Sequence, residues 1–417
     1  MLSLKLKLIQ ISKSKFGKYF AIGGASKAIS FVVTIILVSL MQPSDFGLIA
    51  YIVALSTILS SLYNYGFGIT VARETQLMKS DEFSILLSSS WLVCIFLFVF
   101  SAFLILAYEE VQIFSTNLDY ISLWFASTLG FLLGRFDIHT KILIAKGLTS
   151  DYSISELVRI TIASVVSIVL VLLLVDDVLA RLVGILIGVI VGVVISIFYT
   201  RKNFAMKLPT FNSVWYVLIT GTKVMPQAIG NWVKMGADKI LIASLVGLEQ
   251  LGIYTFAFSM AACGLLFCNA LNQAYLGRVF DLYKNGKIQE LAKLRSRYIL
   301  LSIVLNITLF ISLIFYLSYL WPEEYRVSWI TIALLVASMQ MHLVYLLYSK
   351  YLIYAAMLSE LSLVNFVMSL MYVAMIWFPS SVPIEYVAFA YFFYNLTMAF
   401  YVVVRSFGLE KREFVIA

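Results

Sequence analysis

The chain of 417 residues is 62% hydrophobic and only 12% charged, with a mean hydropathy of +0.97 and a formal net charge of +8. Soluble domains carry about 25% charged residues, so a soluble globular fold is excluded. Basic residues are spread over short segments instead of one patch, so the positive charge does not indicate nucleic acid.

Lys5, Lys7, Lys13, Lys15 and Lys18 precede the first apolar run. No short hydrophobic stretch with a small-residue cleavage site follows, so a retained first span is expected, not a cleaved signal. A bilayer core of about 30 Å needs about 20 apolar residues per helix. Runs of that length fall at 19–40, 47–70, 84–107, 118–140, 152–175 and 178–200, then at 224–245, 251–276, 298–320, 327–349, 353–378 and 384–404. Each is too long for a barrel strand and lacks strict alternation. The predicted fold is an all-α integral membrane protein of twelve spans.

In span 1, Lys27 has no acid nearby in sequence and sits close to the midplane, where lining a cavity is favoured over snorkelling. Span 2 carries Asn64. Near the inner end of span 4 come Arg135, Asp137, His139 and Lys141; Arg135 and His139 share a face and Asp137 points elsewhere. Glu156 and Arg159 open span 5 as an i,i+3 structural ion pair. Gly184, Gly188 and Gly192 form a close-approach face in span 6.

Span 7 is the most polar, holding Pro226, Gly230, Lys234, Gly236, Asp238 and Lys239. Lys234 falls at the midplane, where a lysine costs about 2.5–3.5 kcal/mol on insertion scales and should face a polar cavity. Asp238 is one turn on. The two form either a neutralised packing pair or a cation held for an anionic substrate. In span 8, Asn269, Asn272 and Gln273 put three amides on one face, suited equally to interhelical hydrogen bonds and to sugar hydroxyls. The segment Ile288–Arg295 before span 9 reads as an interfacial amphipathic helix.

With the N-terminus inside, nearly all lysines and arginines lie on the cytoplasmic side, and only Arg181 and Arg326 fall outside. That asymmetry puts both termini in the cytoplasm. Six residues also recur at an offset of 205: Lys18, Ser39, Gly47, Asn64, Arg73 and Lys79 match Lys223, Ser244, Gly252, Asn269, Arg278 and Lys284. Two pseudo-symmetric six-helix lobes follow, 1–205 and 206–417, with a substrate site expected at the repeat interface. Lys27 and Lys234 are unmatched by the repeat. No Walker loop, surface carboxylate pair or nucleophile elbow is present, and outside loops are short. No enzyme activity is therefore expected. Cys94, Cys263 and Cys268 lie in apolar runs and His139 and His342 are far apart, so neither disulfide, metal nor cofactor is indicated.

Met41-Gln-Pro-Ser-Asp-Phe-Gly47 with Leu-Ile-Ala-Tyr after it resembles the loop after span 1 of bacterial polysaccharide flippases of the Wzx type. Asn64-Tyr-Gly-Phe-Gly68 with Arg73-Glu74 resembles the end of their span 2, and Ala237-Asp238-Lys239 through Tyr254 their span 7–8 passage. Their superfamily also holds multidrug extruders and lipid II flippases. The resemblance implies a V-shaped, MATE-like pair of lobes in the bacterial cytoplasmic membrane. It implies alternating access for an oligosaccharide repeat unit on undecaprenyl pyrophosphate, moved from the inner to the outer leaflet. Lys27, Arg135 and Lys234 then suit the pyrophosphate, with Asp238 tuning Lys234 or answering a coupling ion (H+ or Na+). Asn64, Asn269, Asn272 and Gln273 complete the expected substrate set. Membrane lipid and other polysaccharide assembly proteins are the remaining expected partners. The alternative is a multidrug or cation extruder of the same fold. Such a carrier needs intramembrane acids, and here those are chiefly Asp238 and Glu360.

Overall fold

The computed structural model describes residues 15–111, 120–174, 176–205, 207–265, 268–269, 271–272, 279, 282–283, 285–355, 357–379 and 382–414. Some side chains inside those helices, including Lys27 and Lys234, lie outside the described set, as does Gln273 altogether. The described residues form helices and contain no strand. They are α1 (Lys15–Val38), α2 (Pro43–Tyr63), α3 (Phe67–Leu77), α4 (Ser80–Val111), α5 (Tyr120–Ala145), α6 (Thr149–Leu173) and α7 (Asp177–Arg201). After them come α8 (Phe211–Leu245), α9 (Leu248–Ala261), α10 (Ile288–Tyr319), α11 (Trp329–Tyr354), α12 (Leu358–Trp377) and α13 (Ile384–Phe414).

Nine helices among the described residues are long and apolar enough to cross a membrane. They coincide with nine of the expected spans. The other three, spans 1, 7 and 8, fall on α1, α8 and α9, each of which includes or adjoins residues outside the described set. Only helices satisfy every backbone group inside a bilayer without closing a barrel, and the composition allows no other solution.

By proximity the chain divides into two compact units, Met1–Ser244 and Leu245–Ala417. Most of α8, which the sequence reading assigns to the second lobe, is grouped here with the first unit. In the first unit, α6 packs along α7, α5 along α2, α3 and α7, and α1 along α6. In the second, α13 packs on α11 and α12, and α11 also contacts α9 and α10. Two of the pairs matched at the 205-residue offset have similar local settings. Gly47 is the fifth residue of α2 and Gly252 the fifth of α9, and both are buried. Ser39 donates its hydroxyl three residues back to Ile36 O at 2.7 Å, and Ser244 likewise to Leu241 O at 3.1 Å.

Two expectations are corrected. Span 2 is not one helix: α2 ends at Tyr63 and α3 restarts at Phe67, with Tyr65 (φ 45°) and Gly66 (φ 73°) both in the left-handed region. A non-glycine residue rarely adopts that conformation, so the break is held by its surroundings. A Cβ on Gly66 would stand 2.8 Å from Gly221 O, and one on Gly221 would stand 2.1 Å from Tyr65 O. The break therefore seats directly on the backbone of α8, and glycine is required on both sides. Tyr65 Oη and Thr222 Oγ1, 3.1 Å apart, add a hydrogen bond. The second correction concerns Ile288–Arg295, which is no separate interfacial helix but the first turns of α10. No proline or glycine interrupts it, so the helix continues into the span.

The glycine face of span 6 is a helix seam. A Cβ at Gly184 would lie 2.2 Å from Ser167 Oγ, and one at Gly188 would lie 2.6 Å from Arg159 O. Small residues let two backbones approach where lipid tails leave packing as the main adhesive. The Gly188→Leu variant should therefore lose more than about 3 kcal/mol, since the displaced partner is backbone and cannot yield. Thermal or denaturant unfolding of the purified protein in detergent measures it, and an unchanged midpoint would contradict this packing.

Candidate functional site

Several residues of α5 meet the broken helix. Arg135 is fully buried and donates from a terminal nitrogen to Asn64 Oδ1 at 2.7 Å and from the other to Ser90 O at 3.3 Å. Its guanidinium carbon lies 5.1 Å from the centre of the Trp91 ring, a cation–π contact that supplies part of what water would. Its Nε has no hydrogen-bond partner among the described residues, and neither ring nitrogen of His139 has one. A buried guanidinium needs its charge answered by aimed dipoles or a counter-ion. Here the answer is an amide, a carbonyl and a ring face. The tight seat is visible at Gly134, where a Cβ would stand 2.9 Å from Asn64 Oδ1.

One turn along α5, Lys141 Nζ bonds Asp137 Oδ2 at 2.7 Å and Gly68 O at 2.8 Å. It thus neutralises a carboxylate and adds a second donor to a helical carbonyl near the start of α3, where α5 passes the break. Both side chains remain partly exposed, at 38% and 44%. They face a cavity of about 170 Å³ whose walls include Thr57, Ser61, Asn64, Gly68 and Trp232. Polar donors and acceptors line one side and an indole the other.

The expected site residues are placed as follows. Asn64 and Arg135 are brought together, and Asn64 reaches the cavity wall while Arg135 stays behind it. Asp238 is 1% exposed, with Lys239 Nζ 3.7 Å from its Oδ1. Asn269, exposed, and Asn272, part-buried, lie in the second unit, where Asn272 Oδ1 has no hydrogen-bond partner among the described residues. The side chains of Lys27, Lys234 and Gln273 lie outside the described residues. Sequence reasoning missed Thr57, Ser61, Ser90, Trp91 and Trp232 as neighbours of the site. It also read Asp137 as turned away and Lys141 as a topology signal, although their i,i+4 spacing announces the pair.

In the second unit several polar groups of the spans are paired with one another. Gln340 Oε1 accepts from Ser302 Oγ at 2.9 Å and Asn306 Nδ2 at 2.8 Å. Glu360 is clamped by Arg405 Nε at 2.8 Å and a second guanidinium nitrogen at 3.1 Å, with Tyr401 Oη donating to the same carboxylate. In the first unit, the expected Glu156–Arg159 pair forms with two contacts, at 2.7 and 3.0 Å.

This helical architecture is that of a known class of membrane transporters. Over 97% of this chain and 98% of theirs, it superposes on a superfamily transporter from Pyrococcus furiosus described as having a binding pocket of reversed polarity (TM-score 0.56, 13% identity). It matches a MATE transporter in complex with MaL6 over 97% of this chain and 99% of that one (TM-score 0.55, 14% identity). A third match is an outward-facing multidrug resistance MATE family transporter of the MOP superfamily (TM-score 0.54, 13% identity, 97% and 98% covered). At identities so low the likeness shows the fold alone: this is a multi-pass membrane protein with the MATE fold. Its sequence assigns it more narrowly. The family described as "Polysaccharide biosynthesis protein" matches residues 13–276, more than half of the chain, and the chain belongs to that family. No curated protein shows significant similarity to it.

Removing the amide while keeping the charge tests the core of this cluster. Asn64→Leu leaves the Arg135 guanidinium buried without its shortest hydrogen bond and should cost about 3 kcal/mol or more. The double variant Asn64→Leu/Arg135→Met, which removes both partners, should recover most of that loss. Unfolding midpoints of the two variants in detergent decide it. Equal loss in both would show that the pair is not coupled.

Proposed function

We propose that this protein is a flippase that moves undecaprenyl-pyrophosphate-linked oligosaccharide repeat units from the inner to the outer leaflet of the bacterial cytoplasmic membrane by alternating access. Family membership and the resemblance of the Met41–Gly47 and Asn64–Gly68 passages support it. The physical problem such a cargo poses is severe. A sugar hydroxyl stripped of water without a partner costs about 4–8 kcal/mol in hydrocarbon, and a bare charge costs far more. A carrier must offer polar partners to the headgroup while the lipid tail stays in the bilayer.

The observation that carries the reading is the cavity at the α2–α3 break. Thr57, Ser61 and Asn64 offer hydroxyls and an amide beside the break, and Asp137 and Lys141 add a charged pair of zero net charge. That set suits a neutral, hydroxyl-rich group beside an aromatic wall. Lys27 and Lys234 are the proposed contacts for the pyrophosphate, with Asp238 four residues after Lys234 in the sequence. Asn269, Asn272 and Gln273 are the proposed amide contacts of the second unit. Arg135 acts on the cargo through Asn64, whose amide it orients.

The extruder alternative needs an intramembrane carboxylate free to hold a cation. Asp137, Asp238 and Glu360 each have a lysine or arginine against them, Lys141, Lys239 and Arg405. This disfavours that alternative.

A strain lacking the gene should accumulate the lipid-linked repeat unit in the cytoplasmic leaflet, read by extracting lipids and probing the leaflet with a membrane-impermeant periodate label. Absence of any such accumulation would refute the assignment. The double variant Asp137→Leu/Lys141→Leu removes the pair as a unit and leaves no lone charge behind. It should reach the membrane at wild-type level yet deliver at least about tenfold less oligosaccharide, equivalent to about 1.4 kcal/mol of barrier. Wild-type delivery by a well-expressed double variant would remove the cavity from the mechanism.

A further inference from the structure

A second polar concavity, of about 490 Å³, lies between Arg73 on α3 and the first turns of α8. Its α8 wall is one helical stripe: Asn212, Trp215, Tyr216, Ile219, Thr220 and Lys223 recur at i, i+3, i+4, i+7, i+8 and i+11. The opposite face of the same turns is in the core, where Val217, 1% exposed, packs with Phe83 and Phe204. The stripe itself is uncovered, with Trp215 55% and Tyr216 39% exposed. Tertiary packing therefore explains one face of this helix segment and leaves the other without an occupant.

The chemistry of that face is complementary to a lipid phosphate. The side chain of Arg73 is 70% exposed, and its one acidic contact, Glu74 at 3.6 Å, is longer than a hydrogen bond. Its planar fork of five donors is thus largely unused, and that fork matches phosphate oxygens. Lys223 is exposed and meets no carboxylate among the described residues. Asn212 and Thr220 add neutral donors between the two cations. Other lysines at this end are already engaged: Lys207 binds Asp81 at 2.8 Å, and Lys146 and Lys202 lie over the rings of Phe204 and Phe198 at 4.9 and 4.7 Å. Arg73 and Lys223 stand apart from them in facing the concavity.

Trp215, Tyr216 and Ile219 decide between a soluble anion and a lipid. Tryptophan and tyrosine concentrate at the headgroup level of membranes, where an apolar ring body meets hydrocarbon and a polar tip meets water. A free phosphate would leave this apolar wall unused, whereas a lipid lays its first chain segments against it. We infer that the concavity between Arg73 and Lys223 is a docking site for the phosphate headgroup of a membrane lipid, the class to which a polyprenyl diphosphate belongs. The site is separate from the cavity beside Asn64 and does not require the chain to transport what it binds there.

The test uses the full-length purified protein in detergent, titrated in native mass spectrometry with phosphatidic acid, with undecaprenyl diphosphate, with phosphatidylcholine and with inorganic pyrophosphate. Phosphatidic acid and undecaprenyl diphosphate should bind, and phosphatidylcholine should bind at least about tenfold more weakly. Each cation near a membrane surface contributes about fivefold in anionic-lipid affinity. Arg73→Gln/Lys223→Gln should therefore weaken binding of the two anionic lipids by about 25-fold. Trp215→Ala should weaken the lipids and leave inorganic pyrophosphate unaffected. Undiminished lipid binding by the double variant overturns the site. Inorganic pyrophosphate binding as tightly as the lipids, with Trp215→Ala neutral, overturns its assignment to a lipid. All three substituted positions are solvent-exposed, so the variants should keep the wild-type unfolding midpoint; if the double variant does not, Lys223→Gln and Trp215→Ala alone carry the comparison. Outer-leaflet delivery is scored separately. Loss of binding with delivery retained supports the docking site as a non-transport feature, while retained binding with no delivery in any assay leaves it standing without the flippase reading.

Discussion

The interaction on which the site of the first unit depends is that of α5 with the broken helix: a buried guanidinium and an ammonium of α5 are answered by a side-chain amide and a carbonyl on either side of the break. The break at Tyr65–Gly66 is seated on Gly221, and Arg135 and Lys141 reach its two sides. Arg135 holds the Asn64 amide and Lys141 the Gly68 carbonyl, each by a charge-assisted hydrogen bond, the stronger kind. The dependence is mutual. Arg135 relies on Asn64, Ser90 and Trp91 to answer its buried charge, and without Arg135 the Asn64 amide oxygen would lose its 2.7 Å donor.

This arrangement bears on what kind of cargo the protein suits. A site for a lipophilic cation keeps a carboxylate waiting. In this chain Asp137, Asp238 and Glu360 each stand against a lysine or arginine, by contacts of 2.7, 3.7 and 2.8 Å. What the cavity offers besides the paired Asp137 and Lys141 are hydroxyls, an amide and an indole. Such groups discriminate by hydrogen-bond geometry instead of by charge, which is how sugars are told apart from one another. The diphosphate of the proposed cargo calls for cations, and Arg73 on α3 and Lys223 on α8 are two exposed ones that lie outside that cavity.

The coarse architecture was readable from hydropathy alone. Nine expected spans reappear as helices, the Gly184–Gly188–Gly192 face is a helix seam, and Glu156–Arg159 is a paired contact. These features share a physical origin: each depends on helix periodicity or on neighbours within four residues. The interruption of span 2 was not read, because an apolar run that hydropathy counts as continuous hides two left-handed residues. Asn64-Tyr-Gly66 held a turn signal, yet only the crossing with α8 makes that signal decisive. The interfacial helix expected at Ile288–Arg295 failed for the opposite reason. Amphipathic spacing marks a face, and it does not say whether the helix stops.

By itself, then, the sequence determined that this chain lives in a membrane, that it is helical, and where its small residues let helices meet. Hydrocarbon thickness and backbone hydrogen bonding leave a chain of this composition no other course. Tertiary structure alone decided what each buried charge does. Arg135 could have faced a cavity, snorkelled or packed, and the choice rests with Asn64, 71 residues away. Charge in a low dielectric is governed by its nearest few partners, and partners so distant in the chain are chosen by packing.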